Sequence, residues 1–276
     1  MRVLTILVHT FLELRAKVTL IILVAISALV LLGVAFSLSA SETAEGVTLM
    51  IFGNPLGQPV PSEAIATLVA QIQTTLAGGL MTGVFLFGII ATASLLPDAL
   101  EKGTVDMYLS RPMWRWELLL GKHLGATAVL GVTILGFMTG LWLVVGLRVG
   151  YWNHAVIPAA LLITLIFLSL YALVVFLGVA SRSTPVAILG TFLYYFILDG
   201  ILESRERTLY LLSENGVYRA ILDGLYYLFP QVSAMQATVG QTIAQGSPGW
   251  EPMLQGLLSA AVWFVAGAVL FRRQDL

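Results

Sequence analysis

Residues 18–38 read VTLIILVAISALVLLGVAFSL. The run holds no charge, and its only polar side chains are the hydroxyls of Thr19, Ser27 and Ser37. A bilayer core about 30 Å thick needs roughly 20 mostly apolar residues to be crossed by a helix. This stretch meets that need from end to end. The residues before it are charged (Glu13, Arg15 and Lys17), and no small-residue cleavage site closes it. It is therefore expected to be a retained first span rather than a cleaved signal.

Five further stretches resemble it. Residues 74–96, 123–147, 156–180, 185–202 and 252–271 are long and almost free of charge. A charge at the centre of a span costs about 2.5–3.5 kcal/mol on the insertion scale. The fifth is the shortest uncharged run, and Asp199 and Glu203 close it at an expected membrane boundary. The composition agrees: 58% hydrophobic and 11% charged residues, with a mean hydropathy of +0.93. Soluble domains carry roughly 25% charge, so lipid must be part of this chain's solvent. The expected fold class is an all-α membrane protein with six transmembrane helices. Neither an internal repeat nor a low-complexity tract is visible, so 1–276 reads as a single membrane domain.

Orientation follows from the basic residues of the connections. One side receives ten: Arg2, Arg15, Lys17, Lys102, Arg111, Arg115, Lys122, Arg182, Arg272 and Arg273. The other receives four, Arg148, Arg205, Arg207 and Arg219. The first side is expected to be the cytoplasm, with both termini there. Residues 1–17 form an N-terminal interfacial helix in this reading. Leu4, Leu7, Val8, Phe11 and Leu12 recur at helical spacing opposite Arg2, Thr5, His9 and Glu13, with Arg15 at the end. Residues 39–73 form an outer loop broken by Asn54-Pro55, Gly57, Pro59 and Pro61. Residues 203–251 form a long outer loop, expected to hold one or two short helices around the tyrosine-rich stretch 218–229. Tyr151, Trp152, Tyr226, Tyr227 and Trp250 suit an outer aromatic belt.

The loop between spans two and three, residues 97–122, is PDALEKGTVDMYLSRPMWRWELLLGK. It reads as two short helices and a re-entry. Pro97 suits a first helical turn, with Asp98 and Glu101 near its positive end. Gly103 stops that helix and Thr104 can cap the next. Arg111-Pro112 closes the second, because the residue before proline is pushed out of helical geometry. An ordinary charged inner loop would satisfy the same charge bias, yet a solvated loop has little need of two capped helices and a proline-locked turn.

Glu101-x-Gly103-Thr104, Leu109-Ser110-Arg111-Pro112, Arg115 and Gly121-Lys122 together resemble the cytoplasmic loop of type-2 ABC-transporter permeases. The Glu13-Leu14-Arg15-x-Lys17 lead-in, the six-span layout with a helical loop between spans five and six, and the ending Phe271-Arg272-Arg273-Gln274-Asp275-Leu276 resemble the same family. The likeness spans essentially the full length. It implies a bacterial inner-membrane protein that is the transmembrane subunit of an ATP-driven exporter. ATP and Mg would bind a separate cytoplasmic ATPase, present in two copies, and a second permease, identical or paralogous, would complete the complex. The loop 97–121 would then carry short cytoplasmic coupling helices, with Pro97, Asp98, Glu101, Lys102, Gly103, Thr104, Arg111, Pro112 and Arg115 at the ATPase contact. Some family members serve periplasmic cofactor assembly, nitrous-oxide-reductase maturation among them. A scaffold that passes ATP-driven motion to a periplasmic protein is therefore the alternative reading.

The chain itself carries no Gly-x-x-x-x-Gly-Lys-Ser/Thr phosphate loop, so it is not expected to be the ATPase. It has no cysteine, and His9, His123 and His154 fall in no ligand spacing, so neither a metal site nor a bound cofactor is expected. No Ser/His or paired-acid arrangement for an intramembrane enzyme lies within the spans. A net charge of −1 excludes nucleic acid as a partner on bulk electrostatics. Gly79-x-x-x-Gly83, Gly121-x-x-x-Gly125 and Gly136-x-x-x-Gly140 permit close helix contacts. These are read first as packing inside one subunit, with the pair interface or a pathway left open for Gly79 and Gly83. Asp199 shares that open assignment, with an interfacial, solvated role preferred for it.

Overall fold

In a computed structural model, the described residues are 2–14, 17–43, 46–55, 57–61, 64–95, 97, 114–247 and 249–273. Among them, six helices are long and apolar enough to cross a membrane: Val18–Ser37, Ile65–Leu95, Trp116–Val149, Val156–Ser181, Thr184–Glu203 and Trp250–Arg273. All six expected spans are present. We label the helices α1 (Arg2–Leu14), α2 (Val18–Ser37), α3 (Ile65–Thr92), α4 (Arg115–Val149), α5 (Val156–Ser181), α6 (Thr184–Leu193), α7 (Asp199–Glu203), α8 (Gly216–Leu228), α9 (Val232–Gln245) and α10 (Trp250–Arg273).

α5 is the axis of the bundle. Its sequence is apolar all round, which marks a helix enclosed by others. It packs against α4, α6, α9 and α10, and Ile163, Ile166, Phe167, Leu170 and Tyr171 are fully buried. At the other extreme, α2 leaves Ile21, Val24, Leu29, Leu32 and Phe36 exposed, as lipid or a second membrane subunit would require.

Two helices are longer than the hydrophobic runs that announced them. α4 begins at Arg115 instead of residue 123, and α3 at Ile65 instead of 74. Hydropathy finds only the part of a helix that sits in hydrocarbon, whereas backbone hydrogen bonding continues past it. At 1.5 Å per residue, the 35 residues of α4 reach about 50 Å. Residues 115–121, expected in the loop, are therefore the first two turns of α4. The Trp114 amide donates to Glu117 Oε2 at 2.9 Å and caps that start.

The outer loop 39–73 holds a small sheet that the turn residues concealed. β1 (Leu38–Thr43) pairs antiparallel with β2 (Gly46–Ile51), Leu38 opposite Ile51, and β2 pairs with β3 (Asn54–Pro55). Phe52 and Gly53, at φ +50° and +78°, make the tight turn between β2 and β3. Gly46 adopts φ +133° against the Val60 carbonyl, where any Cβ would collide. Only glycine fits there.

The fifth span is interrupted by a π turn, Tyr194–Leu198, between α6 and α7. The Asp199 amide bonds the Tyr194 carbonyl, five residues back, which brings the two side chains to one side. They meet the start of α9. Asp199 is 3% exposed, so it is not the solvated acid expected from the sequence. Its Oδ1 accepts from the Val232 amide at 3.0 Å, and its Oδ2 from the amide and hydroxyl of Ser233 at 2.8 and 2.5 Å. The Tyr194 hydroxyl donates to the Pro230 carbonyl. The Val232 and Ser233 amides are donors that a helix entry leaves without an intrahelical partner, and a carboxylate at the positive helix end is favourable. On the other side, Ser259 Oγ and Trp263 Nε1 both donate to the Leu228 carbonyl, which ends α8. The α8–α9 corner is thus stapled to two spans. α9 then packs among α3, α5 and α10, with Val232, Met235, Val239 and Ile243 buried.

Replacing Asp199 by alanine removes the acceptor of the Ser233 amide and hydroxyl, while the Val232 amide keeps the Pro230 carbonyl at 2.8 Å. The expected cost is about 2–3 kcal/mol, read as a lowered melting temperature of the purified protein in detergent. Asp199→Asn keeps an acceptor oxygen and should lose less.

Candidate coupling site

Six spans place α1 and α10's last turn on one face, here the terminal face. The elements on either side of the loop between α3 and α4 converge there. α1 carries two stripes. Leu4, Val8 and Leu12 are exposed, with Leu7 and Phe11 half-buried; this is the stripe legible in the sequence. A second row at four-residue spacing, Ile6, Thr10 and Leu14, is buried. It seats against α4, where Gly121 and Gly125 form the sockets. A Cβ on Gly121 would lie 2.6 Å from Ile6 Cγ2, and one on Gly125 would lie 2.7 Å from Thr10 Cβ. The Gly121-x-x-x-Gly125 pair therefore serves packing inside the subunit.

Polar bonds fix the same helix to both ends of the loop. Lys122, 3% exposed, donates to Glu13 Oε2 at 2.8 Å. Lys17, at the junction of α1 and α2, donates to Ser94 Oγ at 2.6 Å, just past the end of α3. A third tie runs through the bundle. The Tyr171 hydroxyl donates to the Thr92 carbonyl at 3.0 Å. Its ring stacks between His123 of α4 and Phe167, with centroids 5.3 and 5.5 Å away. Residues 92–94 and 121–125 are thus joined to each other through α1 and through Tyr171.

Of the expected ATPase-contact residues, Pro97 is half-buried beyond the end of α3, and Arg115 opens α4. Asp98, Glu101, Lys102, Gly103, Thr104, Arg111 and Pro112 lie outside the described residues, as does Arg15 of the N-terminal segment. The anchoring residues Glu13, Lys17, Ser94 and Lys122 were not singled out as a group from the sequence. Their signal was there, since each charge borders a span on the basic side, but the pairing crosses 77 and 109 positions.

The remaining candidates are elsewhere. Gly83 faces Leu23 of α2 at 3.7 Å from its would-be Cβ, and Gly140 faces Leu31 at 2.6 Å. Both receive side chains of α2. Gly79 meets nothing within 4 Å and opens on an apolar groove of about 240 Å³ between α2, α3 and α4, bordered by Ser27, Val30 and Phe137. Asp199 lies at the far end of the bundle, in the staple already described, and does not join Gly79 or Gly83.

Six membrane-length apolar helices in one bundle define a multi-pass membrane protein. The sequence matches the model of the ABC-2 family transporter protein across residues 5–276. The chain belongs to that family, and it is a membrane subunit of an ABC transporter. No curated protein matches it.

An alanine at Gly125 should lower stability by about 1–3 kcal/mol through overpacking against Thr10, despite its better helix propensity. Alanine at Gly79, which meets open space, should leave stability unchanged or slightly raised. Thermal unfolding of the two variants in one detergent checks the contrast.

Proposed function

We propose that this chain takes up the motion of a separate ATPase through the loop between α3 and α4 and converts it into movement of the bundle for export. The observation that carries this reading is the double anchorage of the loop. Lys17–Ser94 holds its entry, and Glu13–Lys122 with the Gly121 and Gly125 sockets holds its exit. A displacement of the loop is then delivered to α3, α4 and α1 as a unit instead of being absorbed by slack chain. The loop's Glu101, Lys102, Gly103, Thr104, Arg111 and Arg115 would sit in the ATPase cleft, between Pro97 and the start of α4. ATP and Mg would be held by that subunit, in two copies. A second permease, identical or paralogous, would pair with this one, and the exposed face of α2 and the groove at Gly79 and Gly83 are surfaces suited to the pair or to a path. The terminal face is read as cytoplasmic, in a bacterial inner membrane, from the surplus of basic residues there. The exposed stripe of α1 would then lie in the headgroup layer.

A second reading keeps the same coupling but delivers the motion to a periplasmic partner. It is favoured by α8, whose Val217 and Ile221 stand free of the bundle.

Glu101→Arg combined with Gly103→Pro tests the coupling. The variant chain should insert and fold, but it should lose the ATPase subunit or leave ATP hydrolysis unresponsive to the permease. Full assembly with unaltered hydrolysis would contradict the assignment.

A further inference from the structure

α8 is built the wrong way round for a helix in water. A helix on a soluble surface turns its charges outward and its apolar side chains to the core. In α8 the two charged residues, Arg219 and Asp223, are half-buried and bonded to the protein. Asp223 Oδ1 accepts from Arg205 Nε at 2.8 Å and from the Tyr210 hydroxyl at 2.7 Å. Arg219 donates to the Ser213 and Tyr210 carbonyls at 3.3 and 3.4 Å. The Tyr226 hydroxyl donates to Glu203 at 2.8 Å, and the Arg205 guanidinium carbon stands 3.7 Å from the centre of its ring. The exposed side carries no charge at all. Its row at helical spacing is Val217, Ile221, Leu225 and Leu228.

The depth of the helix is fixed as well. α10 is uncharged from residue 252 to residue 271, between Glu251 and Arg272. The Leu228 carbonyl, at the end of α8, accepts the Ser259 hydroxyl at 2.6 Å and Trp263 Nε1 at 2.9 Å. Ser259 lies eight residues past Glu251, about 12 Å along the helix. The corner that follows meets the fifth span in the same way. The Pro230 carbonyl is held by Tyr194, within the uncharged run that ends before Asp199. The end of α8 is therefore seated against the uncharged parts of two spans, while its charges meet Arg205 and Tyr210 of the connecting chain. Its start is capped by the protein too, since Asn215 Oδ1 accepts the Val217 amide at 2.9 Å, as a site poor in water requires.

We propose that the Val217–Leu228 row rests on the acyl chains of the leaflet opposite the termini, so that α8 slants from the headgroups into the bilayer. At 13 residues and about 20 Å it is too short to cross a core about 30 Å thick. An interfacial helix seats its apolar face roughly 5–10 Å into the boundary layer, and the place of Leu228 agrees with that. The two elements beside it, α7 and α10, also expose apolar side chains, Ile201, Leu254 and Leu258. A soluble periplasmic partner and lipid cannot both cover this face, and the depth of its end favours lipid. None of these residues belongs to the terminal face, so the proposal stands or falls apart from the coupling reading.

The chain has no cysteine, so single nitroxide labels can be placed on the full-length protein, purified from its host with its associated chains and set in phosphatidylcholine nanodiscs. Ile221→Cys and Leu225→Cys report the row, and Glu214→Cys, exposed just before the helix, reports water. Ala220→Cys, on the same exposed side, serves if a label at Ile221 prevents folding. Collision with oxygen, which concentrates in hydrocarbon, is compared with collision with a neutral nickel chelate, which stays in water. The oxygen-to-nickel ratio should be severalfold higher on the row than at Glu214. Labels on the row that met the chelate as often as the label at Glu214 would place the face in water and overturn the proposal. Labels shielded from both reagents would show a protein surface there, a second copy or a periplasmic partner, and would overturn it equally.

Discussion

Lipid offers no hydrogen bonds, so every helix end brought into a membrane bundle must be satisfied by the protein itself. That constraint shapes this fold most visibly at the α8–α9 corner. α9 is too short to cross a bilayer, and its entry nonetheless sits among the spans. It is held there because the fifth span gives up one regular turn. The π turn at Tyr194–Leu198 aligns Tyr194 and Asp199, which between them satisfy the Pro230 carbonyl and the Val232 and Ser233 amides. Ser259 and Trp263 close the account of the preceding helix end at Leu228.

The two faces of the bundle are built on opposite principles. On the terminal face, glycine sockets, the Glu13–Lys122 ion pair and the Lys17–Ser94 hydrogen bond fix one amphipathic helix and its junction with α2 to both ends of a single loop. On the opposite face, polar side chains are spent on helix ends, Tyr194 and Asp199 at the entry of α9 and Ser259 and Trp263 at the end of α8. Between them α5 is largely buried, and it joins the faces through Tyr171 and its packing against α9.

The spans were legible because twenty uncharged apolar residues have one physical solution, and α2 and α5 followed their runs closely. The starts of α3 and α4 were not legible, since polar residues such as Gln71, Gln73, Arg115 and Glu117 continue a helix without a hydropathy signal. The β hairpin was hidden because its strands are short and rich in serine and threonine, and turn residues crowd the loop that contains it. Asp199 was visible as an acid at a span's end, but nothing local to it shows that a helix entry 33 residues later waits for its carboxylate. The same holds for Lys17 with Ser94 and Glu13 with Lys122. A sequence displays the charges at a membrane boundary, and only the fold pairs them.

The proposed coupling requires that the energy come from another protein. Purification of the chain from its host in mild detergent, with each co-purifying chain identified by mass, tests this. A stoichiometric ATPase with a phosphate-binding loop is the predicted companion. If the chain came away alone, or with partners none of which binds a nucleotide, the coupling account would be contradicted and the six-span bundle would remain without its motor.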